Sequence, residues 1–161
     1  FKVKIARGES ANDILRILHA LKPGESLRLD GNRLLTPQAL AEYLAPLKDH
    51  WAQIEYIEEP FPVYSDLLSW QHTVPLALDE SLSQFLHDSR HSIKYVVLKP
   101  ALFGFSKSIS IIKKMHETGV ITTLSSSFEG EIGLAAISTL SSLQNSLRPN
   151  PAGLDTLSFF N

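Results

Sequence analysis

Hydrophobic and polar residues follow two rhythms along the chain, and the rhythms take turns. In residues 1–5, Phe1, Val3 and Ile5 share one side and Lys2 and Lys4 the other, the two-residue period of a strand. In residues 11–21, Ile14, Leu15, Ile17, Leu18 and Leu21 recur at helical spacing behind Ser10 as a cap. Alternation returns at 26–30, with Leu27 and Leu29 opposite Arg28 and Asp30. Thr36-Pro37, a cap followed by proline in the first turn, then opens a helix carrying Leu40, Tyr43, Leu44 and Leu47. The pattern predicts further strands at 54–58, 75–79, 95–99, 121–125 and 154–157, with helices at 65–71, 82–88, 106–117 and 132–143. Repeating strand–helix units predict an α/β fold with a parallel sheet and right-handed crossovers. About seven strands are expected, in a single domain over residues 1–161 with no linker or low-complexity segment.

In a barrel built of such units, functional side chains stand at the carboxyl ends of the strands. The predicted last residues are Lys4, Asp30, Glu58, Asp79, Lys99 and Ser125, separated by 26, 28, 21, 20 and 26 positions, each about one strand–helix unit. Taken singly, a charged strand end is a solvated residue. Five in succession, three carboxylates between two lysines, are poor choices for packing and point to a site. Composition narrows its chemistry. Of 161 residues none is cysteine, which excludes disulfides, thiolate zinc centres and cysteine nucleophiles. The six histidines show no metal-binding spacing and read as structural or solvated. Three converging carboxylates without Cys or paired His describe a site for a hard cation such as Mg²⁺, which takes oxygen ligands and keeps positions for water or substrate. Two flanking lysines supply an acid/base pair. A free lysine has a pKa near ~10.4, so a lysine base needs that value lowered, and Mg²⁺, partial burial and the like charge of Lys2 beside Lys4 all push that way.

Charge bears on partners. Lys plus Arg number 15 and Asp plus Glu 17, a net charge of −2, which argues against nucleic acid and anionic membranes as partners. No apolar run is long enough to make a bilayer-spanning helix, and a cytoplasmic location is expected. The chain opens on Phe1-Lys2-Val3-Lys4-Ile5, which looks like the inside of a larger protein.

At the strand ends the sequence resembles the enolase superfamily and, within it, the o-succinylbenzoate synthase family of menaquinone and phylloquinone biosynthesis. The resemblance is carried by Lys2-Val3-Lys4, the segment Leu27 to Arg33, Ile57-Glu58-Glu59-Pro60, Leu78-Asp79-Glu80-Ser81, Val97-Leu98-Lys99-Pro100, Ser125 to Glu129 and Gly153-Leu154-Asp155-Thr156, in order along essentially the whole chain. It implies a (β/α) TIM-type barrel that is incomplete here, its first strand and its amino-terminal capping domain absent. It also implies Asp30, Glu58 and Asp79 as ligands of Mg²⁺, with Mn²⁺ the alternative ion. Lys4 would be the general base and Lys99 would face it across the substrate. Lys2, Arg28, Asn32 and the backbone near Ser125, Ser126 and Gly153 would line the pocket for a small-molecule carboxylate. Sites of this superfamily pair a Lys or His base with Mg²⁺ that stabilises an ene-diolate. The implied reaction is dehydration of a succinyl-bearing hydroxycyclohexadiene carboxylate to o-succinylbenzoate. A racemase, epimerase or cycloisomerase of the same superfamily and a catalytically inactive barrel fragment are the alternatives. Without cap and first strand the chain by itself is expected to be marginally stable, prone to associate through open sheet edges and nearly inactive. Its oligomeric state is left open.

Overall fold

The computed structural model describes residues 1–5, 10–88 and 93–154. The chain divides into two compact units, Phe1–Ile93 and Lys94–Asn161.

In the first unit strands and helices alternate as β1 (Lys2–Lys4), α1 (Ala11–Ala20), β2 (Leu27–Asp30), α2 (Pro37–Leu44), β3 (Ile54–Glu58), α3 (Tyr64–Ser69), β4 (Leu76–Leu78) and α4 (Leu82–Phe85). Helix starts follow local chemistry. Ser10 and Asp13 form a reciprocal capping box on α1, and Thr36 caps α2 ahead of Pro37. A 3₁₀ helix, Ala45–Gln53, follows α2 where the sequence pattern predicts only a continuation to Leu47. Pro46 has no N–H to donate to the preceding turn, so the α-helix stops there and the chain tightens.

The strands β1, β2, β3 and β4 pair in that order, all parallel. All four residues of β2 are buried, as in a parallel sheet covered on both faces. Ile14, Leu18, Leu29, Leu40, Leu44, Leu47 and Ile57 make up much of the core. Register aligns the site: Lys4 sits opposite Asp30, and Asp30 opposite Glu58, so three strand ends form one row. Just beyond it β2 and β3 come very close. A Cβ on Gly31 would lie 2.5 Å from the Pro60 Cα, so only glycine fits there.

The second unit carries β5 (Tyr95–Leu98), α5 (Pro100–Phe103), α6 (Phe105–Glu117), β6 (Ile121–Leu124) and α7 (Glu131–Leu147). Strands β5 and β6 pair in parallel, and Ser125 makes a further parallel bridge to Gly153. Gly104, at φ 79°, separates α5 from α6 in a conformation that costs glycine little. Val96, Leu98, Ile111, Ile112, Leu124, Ile137 and Leu140 form the unit's core.

Six of the expected strands are present. The seventh, at 154–157, falls almost wholly outside the described residues. The ends of β1, β2 and β3 fall on Lys4, Asp30 and Glu58 as expected, whereas β4, β5 and β6 stop one residue short of Asp79, Lys99 and Ser125. Among the described residues no helix is long and apolar enough to cross a membrane.

Candidate active site

The carboxyl ends of β1, β2 and β3 gather a buried charged cluster. Asp30 is 5% exposed and Glu58 2% exposed. Between them lies the Lys2 ammonium, its Nζ 2.9 Å from Asp30 Oδ2 and 2.7 Å from Glu58 Oε1. Burial disfavours the charged form of Glu58 and lifts its carboxyl to about 7; the charge and hydrogen bond of Lys2 oppose this, while Asp30 and Asp79 reinforce it. Burial of Lys2 itself works to lower its pKa, but the attraction of Glu58 and Asp30 outweighs that and raises it.

Lys4 stands on the rim of this cluster. Its Nζ donates to Asn32 Oδ1 at 3.2 Å, and the Asn32 side-chain amide and backbone N–H in turn donate to Asp30 Oδ1. Asn32 and Arg33 hold positive φ angles of 47° and 60°, so the turn after β2 folds back over the carboxylate instead of leaving the sheet. Five of the residues singled out in the sequence, Lys2, Lys4, Asp30, Asn32 and Glu58, thus form one continuous chain of polar contacts.

Asp79, on the turn after β4, adds its charge to the field at Glu58. Arg28 is mostly buried in the interior of its unit. Its guanidinium grips Glu55 bidentately, Nε to Oε2 at 2.8 Å and Nη2 to Oε1 at 3.1 Å, and lies over the Tyr56 ring. Glu55 is the extra residue at a register shift between β2 and β3, a feature that strand alternation does not reveal.

In the second unit Lys99 lies between β5 and α5, immediately before Pro100. In the serine segment the backbone amides are paired within the unit. The backbone N–H of Ser125 donates to Leu98 O at 3.0 Å, that of Ser126 to Gly153 O at 2.9 Å and that of Gly153 to Leu124 O at 2.8 Å. The Ser127 N–H donates to the Glu129 carboxylate. These amides complete the sheet and its turn, and the Ser125 and Ser126 hydroxyls donate to Ser126 O at 3.4 Å and Gly153 O at 3.2 Å.

Two residues not singled out in the sequence belong to the site region. Glu59, 1% exposed, turns its carboxylate onto the loop after β4, where Asp79 N–H and Ser81 N–H donate to Oε2 at 2.8 Å and 3.3 Å and the Ser81 hydroxyl donates to Oε1. Burial raises the Glu59 pKa, an effect that the Ser81 and Asp79 hydrogen bonds oppose. The only available signal was the side-by-side acids of Glu58-Glu59 and the serine two residues after Asp79.

The donor set fits a hard divalent cation. Buried aspartate and glutamate oxygens, with a cationic nitrogen already drawn between two of them, supply the ligands that Mg²⁺ takes. Among the described residues no three such side chains already close around a single point, and the Lys2 ammonium holds the place between Asp30 and Glu58.

The succession of parallel strands and helices, with charge gathered at the strand ends, is matched in known proteins. No family model matches the chain. It is 33% identical over 172 residues to an o-succinylbenzoate synthase of Pasteurella multocida, a match covering 97% of this chain and 49% of that protein. The chain therefore spans about half the length of the curated relatives it matches. The crystal structure of o-succinylbenzoate synthase from Thermosynechococcus elongatus, complexed with magnesium in its active site, superposes with a TM-score of 0.76 at 28% identity, covering 97% of this chain and 52% of that one. A dipeptide epimerase from Methylococcus capsulatus, complexed with magnesium ion, shares the fold with a TM-score of 0.75 at 22% identity over 99% of this chain and 48% of its own. The fold is part of a (β/α) barrel of the enolase superfamily. Within that superfamily the chain resembles the o-succinylbenzoate synthases, over their barrel portion.

Proposed function

We propose that this chain is the barrel portion of an o-succinylbenzoate synthase, a carbon–oxygen lyase that dehydrates a succinyl-bearing hydroxycyclohexadiene carboxylate. The observation that carries the proposal is the continuous polar chain from Lys4 through Asn32, Asp30 and Lys2 to Glu58 at the ends of three adjacent strands. Identity to synthases of that name supports the particular reaction over the other chemistries of the superfamily.

Asp30, Glu58 and Asp79 would hold Mg²⁺, which when bound supplies electrostatic stabilisation of negative charge developing on the substrate carboxylate. The chain's own residues do the rest. Lys4 Nζ, oriented by Asn32, takes the proton alpha to the carboxylate once it is in its neutral form. The resulting ammonium then gives a proton to the departing hydroxyl, which leaves as water as the ring becomes aromatic. Lys99 adds a cation where charge develops on the substrate. Lys2, Arg28, Asn32, Ser125, Ser126 and Gly153 are proposed as pocket residues, Arg28 shaping the pocket from its pairing with Glu55.

Two measurements test this. Calorimetric titration with MgCl₂ is expected to show binding that Asp30→Asn, Glu58→Gln and Asp79→Asn each weaken strongly. Turnover, followed in a full-length context by the ultraviolet change on aromatisation, is expected to require Mg²⁺ and to vanish in Lys4→Ala, Lys99→Ala and Lys4→Arg. Arginine cannot shed its proton near neutrality, so substantial turnover by Lys4→Arg removes Lys4 from the role of base.

A further inference from the structure

Strand alternation would turn Glu59 away from whatever Glu58 faces. The structure breaks that alternation. Glu59 adopts φ 34°, in the left-handed region, while its own N–H still donates to Ala77 O at 2.9 Å. The chain swings sideways at this residue, and its side chain runs along the sheet toward β4 instead of out through a face.

There the carboxylate meets three donors on one short turn. Asp79 N–H and Ser81 N–H converge on Oε2, and the Ser81 hydroxyl reaches Oε1. Arg33, on the turn after β2, donates its backbone N–H to Glu59 O at 2.7 Å, and its side-chain Nε stands 4.0 Å from Oε1. One residue therefore ties together the turn after β2, the end of β3 and the turn after β4, which carry Asn32, Glu58 and Asp79. An acidic residue kept at positive φ and almost fully buried persists only where its surroundings over-determine it.

We propose that Glu59 is a positioning residue that fixes the Asp79 carboxylate by gripping the backbone of its turn, and that its oxygen acceptors, rather than its charge, do this. The inference rests on the assignment of Asp79 to the Mg²⁺ site made above. Geometry separates the two roles. In Glu59→Gln the amide oxygen takes the place of Oε2 and keeps both backbone donors, while the NH₂ group faces the Ser81 hydroxyl, which rotates to accept. In Glu59→Asp the charge stays, but the side chain is shorter by one methylene and draws back from both amides.

The experiment uses the 161-residue chain, MgCl₂ titrated by calorimetry, thermal melting, and amide hydrogen exchange at Asp79 and Ser81 measured without metal. Glu59→Asp is expected to weaken Mg²⁺ binding by about 10- to 100-fold, the usual range for groups that orient metal ligands. Exchange at the Asp79 amide is expected to speed up about tenfold or more in the same variant. Glu59→Gln is expected to stay within about threefold of the parent in both, in contrast to Glu58→Gln. A merely structural role would lower the melting temperature of Glu59→Asp and leave its Mg²⁺ affinity and Asp79 exchange unchanged, which overturns the inference. Loss of affinity in Glu59→Gln equal to that in Glu58→Gln also overturns it, because the charge would then be what matters. If Glu59→Asp does not fold, Glu59→Gln decides alone: parental behaviour supports the inference, and weak binding or failure to fold refutes it. Absence of Mg²⁺ binding by the parent chain would instead refute the assignment of the site, while Asp79 exchange would still report whether Glu59 holds the turn.

Discussion

The two units bury polar groups in opposite ways. In the first, the strand ends bury carboxyl groups, those of Asp30, Glu58 and Glu59, with the Lys2 ammonium drawn between the first two. In the second, the buried polar groups beside β6 are neutral. Thr122, Thr123, Gln144 and Asn150 are all buried, and the Asn150 side-chain amide donates to Thr122 O at 2.9 Å and Thr123 Oγ1 at 2.8 Å. A neutral amide can be satisfied by the backbone around it, and the Asn150 amide, just past α7, ties the end of that helix to β6. Buried carboxylates crowded together stay charged only with a cation nearby, and the Lys2 ammonium between Asp30 and Glu58 is the cation the chain itself supplies. One unit sets buried carboxyl groups against a cation of its own chain; the other places neutral groups against its own backbone.

The contrast can be broken from either side. The largest effect expected is on metal binding: Asp30→Asn or Glu58→Gln should cost more than about 100-fold in Mg²⁺ affinity by calorimetry, with the melting temperature of the metal-free chain unchanged or raised, since each removes a buried negative charge. Asn150→Ala should do the reverse. It leaves the Thr122 carbonyl and Thr123 hydroxyl short of a donor and should destabilise the chain by about 2 kcal/mol in urea unfolding, with Mg²⁺ affinity untouched. A smaller effect is expected at Lys2, whose side chain is 41% exposed and can swing out. Lys2→Met should tighten Mg²⁺ binding by roughly fivefold, since ammonium and metal compete for the same carboxylates across a partly solvated pair.

The smallest effect sharpens the comparison outside both networks. His72 stacks on Trp70, meets Trp51 edge-on and accepts from Val74 N–H through Nδ1. Burial lowers its pKa, so the unfolded chain takes up the proton first as pH falls. Its contribution is present above the unfolded value near ~6.5 and is lost as pH falls through the folded value. Partial exposure keeps the effect below about 0.5 kcal/mol, and His72→Phe should flatten that part of the stability–pH curve.

Periodicity made most of the fold legible, because a parallel strand–helix repeat writes its period into apolar residues. Lys4, Asp30 and Glu58 could be placed in one row from spacing alone, and register sets them side by side. What periodicity cannot convey is where the chain leaves its regular path. The 3₁₀ helix from Ala45 to Gln53 follows from one missing N–H, at Pro46. The bulge that turns Glu55 toward Arg28 shifts register without changing composition. Asn32, Arg33 and Glu59 adopt positive φ, and each sends its side chain where alternation would not. The resemblance to a family marked Asn32 as a pocket residue, whereas Glu59 was signalled only by its place beside Glu58, and alternation pointed it away.

The close approach of Gly31 to Pro60 has a consequence for anyone who would reshape this barrel. Even the smallest added side chain at position 31 would have to displace main chain rather than a yielding side chain. In a saturation library over Asp30 to Arg33, position 31 should return only glycine among folded clones, whereas 33, with a half-exposed arginine, should accept many residues. Redesign of substrate preference from this turn therefore has to begin at residues 32 and 33. The glycine acts as a fixed pivot, and variation at Asn32 and Arg33 can move side chains around it without parting β2 from β3.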